Sequence, residues 1–327
     1  MKEIALMLDM GRKFYTKDWI LNLIDHMHQL NMNTLQLHFS ENEGFRIACD
    51  NYPQIVSEQH LTKAEVRDII AHANRQGIQI IPDLDTPGHV KHLLTFFPQF
   101  QLSGDDRALD ITNPQARAFI KTLYQEYAEL FAESTYFHIG ADEFIDFDKV
   151  GDYPALVNHA KTHYGPDASG LETYVDYTND IATYVTSLGF IPRVWNDGFF
   201  RTNRHSLVTL TPHVEITYWT RWHPHMASAQ TFIERGYQLI NFCDNYFYYV
   251  LGEAAGYTYP TAHKIHKEWV PHRFAQAQYL TPEQMVSVKG SAFAIWSDRP
   301  EAQTEQEVFS GIQAPLQAMI QCIAQAT

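Results

Sequence analysis

Cysteine is scarce. The 327 residues hold three, Cys49, Cys243 and Cys322, an odd number set far apart and without metal-type spacing. That argues against a disulfide framework and against a cysteine-bound zinc, and it predicts reduced thiols in a cytoplasmic protein. Positive charge is also in short supply: 24 Lys and Arg stand against 38 Asp and Glu, a formal net charge of −14 with histidine neutral. A basic nucleic-acid surface is therefore not expected. Long apolar runs are missing as well, since no stretch approaches the ~20 residues of a membrane-spanning helix. The run after Met1-Lys2-Glu3 meets Asp9 too soon for a signal peptide, and no membrane partner is expected. No Ser-Gly linker, block of like charge or low-complexity segment divides the chain, which predicts one domain over residues 1–327. What is present is 45% hydrophobic and 19% charged, enough for a sizeable core. The sequence leaves the oligomeric state open.

Short apolar runs alternate with longer amphipathic stretches along the whole chain, the pattern of strand-helix units around a parallel sheet. Eight runs predict strands at residues 4–9, 34–39, 78–84, 136–140, 191–195, 215–219, 238–242 and 291–296. Apolar residues at three- and four-residue spacing predict helices at 17–31, 63–76, 114–131, 171–188, 225–235 and 304–324. Gly77, Gly189 and Gly236 follow three of them as helix stops, and Thr304 with Glu307 makes a capping box for the last. Eight units in 327 residues average about 41 residues each, the scale of a single α/β (β/α)8 TIM barrel. The fifth and seventh helices have no clear pattern, and residues 252–278, rich in Tyr, His and Pro, predict a long irregular connection.

In such a barrel the functional groups gather at the carboxyl ends of the strands. Those ends are polar here: Asp9 to Arg12, His38 with Glu41, Asp83 with Asp85 and His89, and His138 through Glu143. The later ones carry Trp195-Asn196-Asp197, Trp219 with Arg221, Asp244 with Tyr246 and Tyr248, and Trp296-Ser297-Asp298. Strand ends are wet, so polar groups alone mean little. Tryptophan is different: three of the six in the chain fall at these ends, which implies something flat and apolar stacking there. A pocket of indoles and carboxylates suits a sugar ring, with its apolar C–H faces and its hydroxyls.

The segment His138-Ile139-Gly140-Ala141-Asp142-Glu143 resembles the His-x-Gly-Gly/Ala-Asp-Glu motif of the family-20 glycoside hydrolases, the β-N-acetylhexosaminidases. Other segments agree in the same order. Asp9-Met10-Gly11-Arg12 is similar to the first-strand segment whose arginine holds ring hydroxyls, and Asp83-Leu84-Asp85-Thr86-Pro87-Gly88-His89 to the Glu-x-Asp-x-Pro-Gly-His loop. Trp195, Trp219 and Trp296 fall where the family walls its sugar pocket, and Asp298 where it has an acidic ligand for the outer hydroxyls. Three departures stand out. Ala141 replaces the commoner second glycine, on a side where bulk is expected to be excluded; Asp83 stands where glutamate is usual; Glu41 stands where the second-strand aspartate is usual, which predicts a re-spaced hydrogen-bonding chain. The α+β domain that often precedes such barrels is expected to be absent, because the first strand begins at Ile4.

Asp142 and Glu143 are neighbours, so they cannot flank a sugar from opposite faces as a conventional carboxylate pair does. The resemblance implies substrate-assisted chemistry instead. Glu143 protonates the departing oxygen while the substrate's own 2-acetamido group attacks the anomeric carbon, and Asp142 orients that group. A tyrosine near the end of the seventh strand binds the acetamido oxygen: Tyr248 is the expectation, with Tyr246 and Tyr249 open as alternatives. His89 and His138 are expected as orienting groups or hydroxyl ligands, with Arg12, Glu41, Trp195, Trp219, Trp296 and Asp298 holding substrate. No metal or other cofactor is expected: His26 and His28 point apart at i, i+2 on a helix, and His223 with His225 lacks a third ligand. The function implied is exo-acting, retaining removal of terminal N-acetylhexosamine, foremost N-acetylglucosamine, from an N-acetylated oligosaccharide. A silent sugar-binding barrel, a metal-dependent amidohydrolase and a disaccharide-releasing relative such as a lacto-N-biosidase are the competing readings.

Overall fold

The computed structural model describes residues 2–326. Eight parallel strands form the barrel: β1 (Glu3–Asp9), β2 (Thr34–His38), β3 (Gln79–Thr86), β4 (Tyr136–Gly140), β5 (Ile191–Trp195), β6 (Glu215–Tyr218), β7 (Leu239–Asn241) and β8 (Val288–Trp296). Each pairs with the next in sequence, and β8 returns to β1 with Leu6 opposite Phe293, closing the ring. The strands are buried on both faces, as β2 is at all five positions, because helices cover the outside.

The outer layer follows the apolar spacing. α1 (Lys17–Gln29) buries Ile20, Leu23, Ile24 and Met27, and α2 (Lys63–Arg75) buries Val66, Ile69, Ile70 and Ala73. α3 (Pro114–Leu130), α4 (Leu171–Ser187), α5 (Ala229–Glu234), α6 (Ala262–Glu268) and α7 (Glu305–Gln325) continue it, and a helix at Pro154–Tyr164, where the apolar spacing predicts none, packs against α4. The capping box expected at Thr304 and Glu307 is formed. Several expectations change. Residues 196–214, between β5 and β6, hold no helix, and α6 lies inside the stretch expected to be irregular. Its seven residues are too few to show a helical period. The eighth strand also begins three residues before the expected start, at Val288.

The seventh barrel position is split. β7 pairs with the lower half of β8 through Leu239, Ile240 and Asn241; the chain then makes a helical turn at Asp244–Phe247 and returns as Tyr248–Val250 beside Ala294, Ile295 and Trp296. The turn lifts Tyr248 to the carboxyl end of the barrel. Inside that end, Ala5, Met7, Ala292 and Ala294 are small or slender enough to admit the rings of Trp195, Trp219, Phe242 and Tyr248.

The amino end is closed by ions. Arg193, 1% exposed, bonds Glu215 at 2.9 and 3.0 Å and Glu3 at 2.6 and 2.8 Å, with its guanidinium 3.6 Å from the Tyr136 ring centroid. Lys289 adds a 2.6 Å bond to Glu215. No helix among the described residues is long and apolar enough to cross a membrane. Replacing Arg193 with Met should leave Glu3 and Glu215 without their principal countercharge, at a cost of about 3–5 kcal/mol. Urea unfolding measures it; a loss below 1 kcal/mol would mean that the plug contributes little.

Candidate active site

β3 and β4 lead into two loops that fold over the barrel mouth. They do so through backbone conformations few residues adopt: φ is +57° at His89, +77° at Gly140, +75° at Ala141 and +40° at Glu143. Gly140 has no substitute there, because a Cβ would fall 1.7 Å from Asp85 Oδ1. The positive φ of the buried Ala141 also explains why glycine is the usual residue, so backbone freedom matters there as well as space. For His89 and Glu143 the left-handed conformation costs on the order of 1–3 kcal/mol each. The surrounding packing holds them: Tyr174 donates to Ala141 O at 2.5 Å, and the Glu143 amide donates to Asp197 Oδ2 at 3.2 Å.

These loops border a cavity of about 330 Å³. Arg12, His89, Asp142, Glu143, Trp195, Trp219, Tyr248, Trp296 and Asp298, all expected from the sequence, line it. Trp219 and Tyr248 lie parallel, 5.7 Å apart at 2°, with the Trp219 indole N–H donating to Asp197 Oδ1. Trp195 stands 4.7 Å from His138, and Trp296 5.3 Å from His38. Five buried polar atoms of the lining have no hydrogen-bond partner: His89 Nε2, Asp142 Oδ1, Tyr248 OH, Trp195 Nε1 and Trp296 Nε1. Such atoms are rare in folded proteins unless a ligand serves them.

Of the three tyrosines left open by sequence, Tyr248 is the one at the cavity. Tyr246 donates to Glu268 and Tyr249 to Gln303, both elsewhere. Glu41 and His138, expected among the substrate-binding residues, sit behind the wall. Glu41 bonds Arg12 Nη2 at 2.6 Å and His89 Nδ1 at 2.6 Å. His138 lies between Asp83, at 3.4 Å, and Thr217, at 2.8 Å. The cavity also has residues that sequence reasoning missed. Trp222 and Tyr257 are the principal ones; Trp222 stands three positions past a strand-end tryptophan, a signal that was available, whereas Tyr257 lay hidden in the stretch read as irregular.

The electrostatics are set by acids crowded into a dry place. Burial, with the charge of Asp142, pushes Asp85 well above the usual carboxylate range. Burial likewise raises Asp142, which the His89 charge partly offsets. Asp197 is raised well above the ordinary range by burial and by the charges of Asp142 and Glu143. Burial alone would lower His89, but Glu41 and Asp142 outweigh it and hold the ring protonated well above its ordinary value. His89 Nε2 lies 3.4 Å from both Asp142 Oδ2 and Glu143 Oε2. Its hydrogen bond to Glu143 lowers that carboxyl, so in the free cavity the mobile proton rests on the imidazole. Arg12, bonded to Asp9 at 2.9 Å and to Glu41, completes the charge balance.

Among the described residues one group could hold a metal: Asp85, His89 and Asp142, whose ligand atoms lie within 4.8 Å of one another. Among the described residues no such group includes His26, His28, His223 or His225.

The family described as Glycosyl hydrolase family 20, catalytic domain, matches residues 5–314. A lacto-N-biosidase of Bifidobacterium bifidum is 29% identical over 296 residues, covering 89% of this chain and 25% of that protein. The β-hexosaminidase subunit A1 of Dictyostelium discoideum is 28% identical over 205 residues, covering 59% of this chain and 38% of that one. The chain thus spans well under half the length of these relatives. Among solved structures, dispersin B superposes with a TM-score of 0.81 at 22% identity, covering 99% of this chain and 100% of its own. A catalytic module of a pneumococcal exo-β-D-N-acetylglucosaminidase superposes at 0.80 with 23% identity, covering 98% and 82%. At these identities the likeness speaks to the fold.

Because Glu41 contributes to holding the His89 proton, Glu41→Gln should move the His89 titration toward lower pH: with less opposing charge the proton leaves sooner as pH rises. Histidine-selective NMR follows it. An unmoved midpoint would assign the hold to Asp142 and Glu143 alone.

Proposed function

This chain belongs to glycoside hydrolase family 20, and from that premise we propose that it removes a terminal β-linked N-acetylhexosamine, foremost N-acetylglucosamine, from an oligosaccharide with retention. The substrate's 2-acetamido group serves as nucleophile. One observation carries the reading: Asp142 and Glu143, consecutive in sequence, line a single aromatic cavity beside the unpartnered Tyr248 hydroxyl. A protein nucleophile would have to act from the face of the sugar opposite the acid.

In this mechanism the proton on His89 passes to Glu143 as the glycosidic oxygen arrives, and Glu143 delivers it to the departing alcohol. The acetamido carbonyl oxygen bonds to the anomeric carbon as the glycosidic bond breaks, giving an oxazolinium ion. Asp142 Oδ1 accepts the acetamido N–H and stabilises the positive charge, while the Tyr248 hydroxyl donates to the carbonyl oxygen. Water then attacks the same carbon as Glu143 takes its proton, and configuration is retained. Arg12 and Asp298 face the same cavity with the donors and acceptors that ring hydroxyls need.

Product analysis on small N-acetylated oligosaccharides tests the reaction, with a single N-acetylhexosamine as the expected product; release of a disaccharide unit would replace the single-sugar reading. The nucleophile is tested separately. A glycoside with a 2-hydroxyl in place of the acetamido group should turn over near background, and a thiazoline mimic of the bicyclic intermediate should bind far more tightly than product. A covalent adduct from a 2-fluoro glycoside, seen by intact mass, would overturn the mechanism.

Glu143→Gln should abolish cleavage of natural glycosides while sparing aryl glycosides with good leaving groups far more, because only the former need protonation. Equal losses on both would remove Glu143 as the acid.

Trp222, 62% exposed, lines the same cavity as the half-exposed Glu143, and we assign its indole to the sugar on the leaving side. Trp222→Ala should reduce kcat/KM for a disaccharide roughly three- to tenfold and leave a methyl glycoside nearly unchanged. Equal effects on both would assign Trp222 to the terminal sugar.

A further inference from the structure

A second, smaller cavity of about 100 Å³ lies behind the catalytic loops, between the start of α4 and the segment joining β5 to β6. Three guanidinium groups line it, those of Arg201, Arg204 and Arg235, a concentration of positive charge in a chain of net charge −14. The carboxylates nearby are committed. Asp148 takes Arg201 Nη2 at 2.7 Å, Asn203 at 2.6 Å and His223 at 3.2 Å, while its carbonyl takes Arg204 Nη2 at 2.7 Å. Glu172 accepts from the amides of Ser169, Gly170 and Leu207. Arg204 and Arg235 have no ion pair among the described residues, and Arg235 lies instead 4.4 Å over the Phe200 ring. The decisive atoms are Arg201 Nε and Arg204 Nε, both buried and without a hydrogen-bond partner, although the Arg201 side chain is only 4% exposed. Guanidinium edges left open in this way match the acceptor geometry of a tetrahedral oxyanion.

We propose that this cavity binds one small oxyanion of the phosphate or sulfate type, free rather than carried on a larger ligand because the space is small and largely walled. The anion joins Arg201 and Arg204 through their Nε–H groups and pins the segment at 199–210. That segment supports the catalytic loops from behind: Phe199 stacks at 5.1 Å on Tyr174, whose hydroxyl holds the carbonyl just before Asp142.

The test is calorimetric titration of the whole chain with inorganic phosphate and with sulfate, in chloride at matched ionic strength. The expected result is saturable binding at one site, weakened about tenfold or more in Arg204→Gln, with glycosidase activity retained. Absence of saturable heat, or identical binding in Arg204→Gln, would overturn the proposal and leave the Nε–H groups to water. If Arg204→Gln fails to fold, Arg204→Lys, which keeps the charge but lacks the Nε–H, carries the same comparison, and unchanged affinity there overturns the proposal as well. A sugar phosphate should fail to compete. Binding as tight as that of free phosphate would mean a ligand-borne phosphoryl group entering from outside, and the enclosed-anion assignment would fall. None of these readouts depends on the proposed glycosidase mechanism, so the two can fail separately.

Discussion

Adjacent strands set Asp9 opposite His38, His38 opposite Asp83, Asp83 opposite His138, His138 opposite Arg193, and Arg193 opposite Glu215. Because the strands of a closed barrel are tilted and staggered, this single row descends from the carboxyl end at β1 to the amino end at β6. Every member is buried. Asp83 bonds both His38 and His138, and Arg193, which follows His138 in the row, bonds Glu215, so the loss of either acid leaves a buried partner uncompensated. The row also fixes the height of the cavity floor: His38 packs on Trp296, His138 on Trp195, and Asp9 holds Arg12.

Above that row the difficulty is proton inventory. Asp85, Asp142 and Glu143 gather around one imidazole with Asp197 behind the Glu143 amide, and complete ionisation of all four in so little space is costly. Burial and neighbouring charge hold Asp85 and Asp197 above the ordinary carboxylate range, Glu41 and Asp142 hold His89 above its ordinary value, and Glu41 and Arg12 anchor the other side. The adjacent pair Asp142 and Glu143 therefore acquires unlike roles from unlike surroundings. Asp142 is enclosed, its side chain 10% exposed, whereas the Glu143 side chain is 51% exposed at the mouth.

Most of the barrel was legible because a parallel strand covered on both sides is a continuous apolar run, and a covering helix repeats its apolar positions every three or four residues. What failed were α6, too short to display a period, and the helix Pro154–Tyr164, which buries only Leu156 and Ala160 and so shows no apolar stripe. The strand ends pointed to the cavity walls, since a tryptophan at a wet end needs an explanation that a polar residue does not. Sequence could not separate residues on the wall from residues behind it. Glu41 and His138 look identical to wall residues in the chain, and only three-dimensional packing turns them toward His89 and Asp83. The choice among Tyr246, Tyr248 and Tyr249 rested on a helical turn that no spacing foretold.

The seventh barrel position is filled by two three-residue pieces, each bonded to a different half of β8. A barrel whose staves were all continuous would open near the mouth only by unzipping along its length. Here the upper piece, Tyr248–Val250, can exchange its amide hydrogens by a local fluctuation that leaves Leu239–Asn241 paired. Mobility at the mouth is thereby decoupled from integrity of the ring, and a loop inserted or lengthened near residue 247 would alter the cavity without endangering closure.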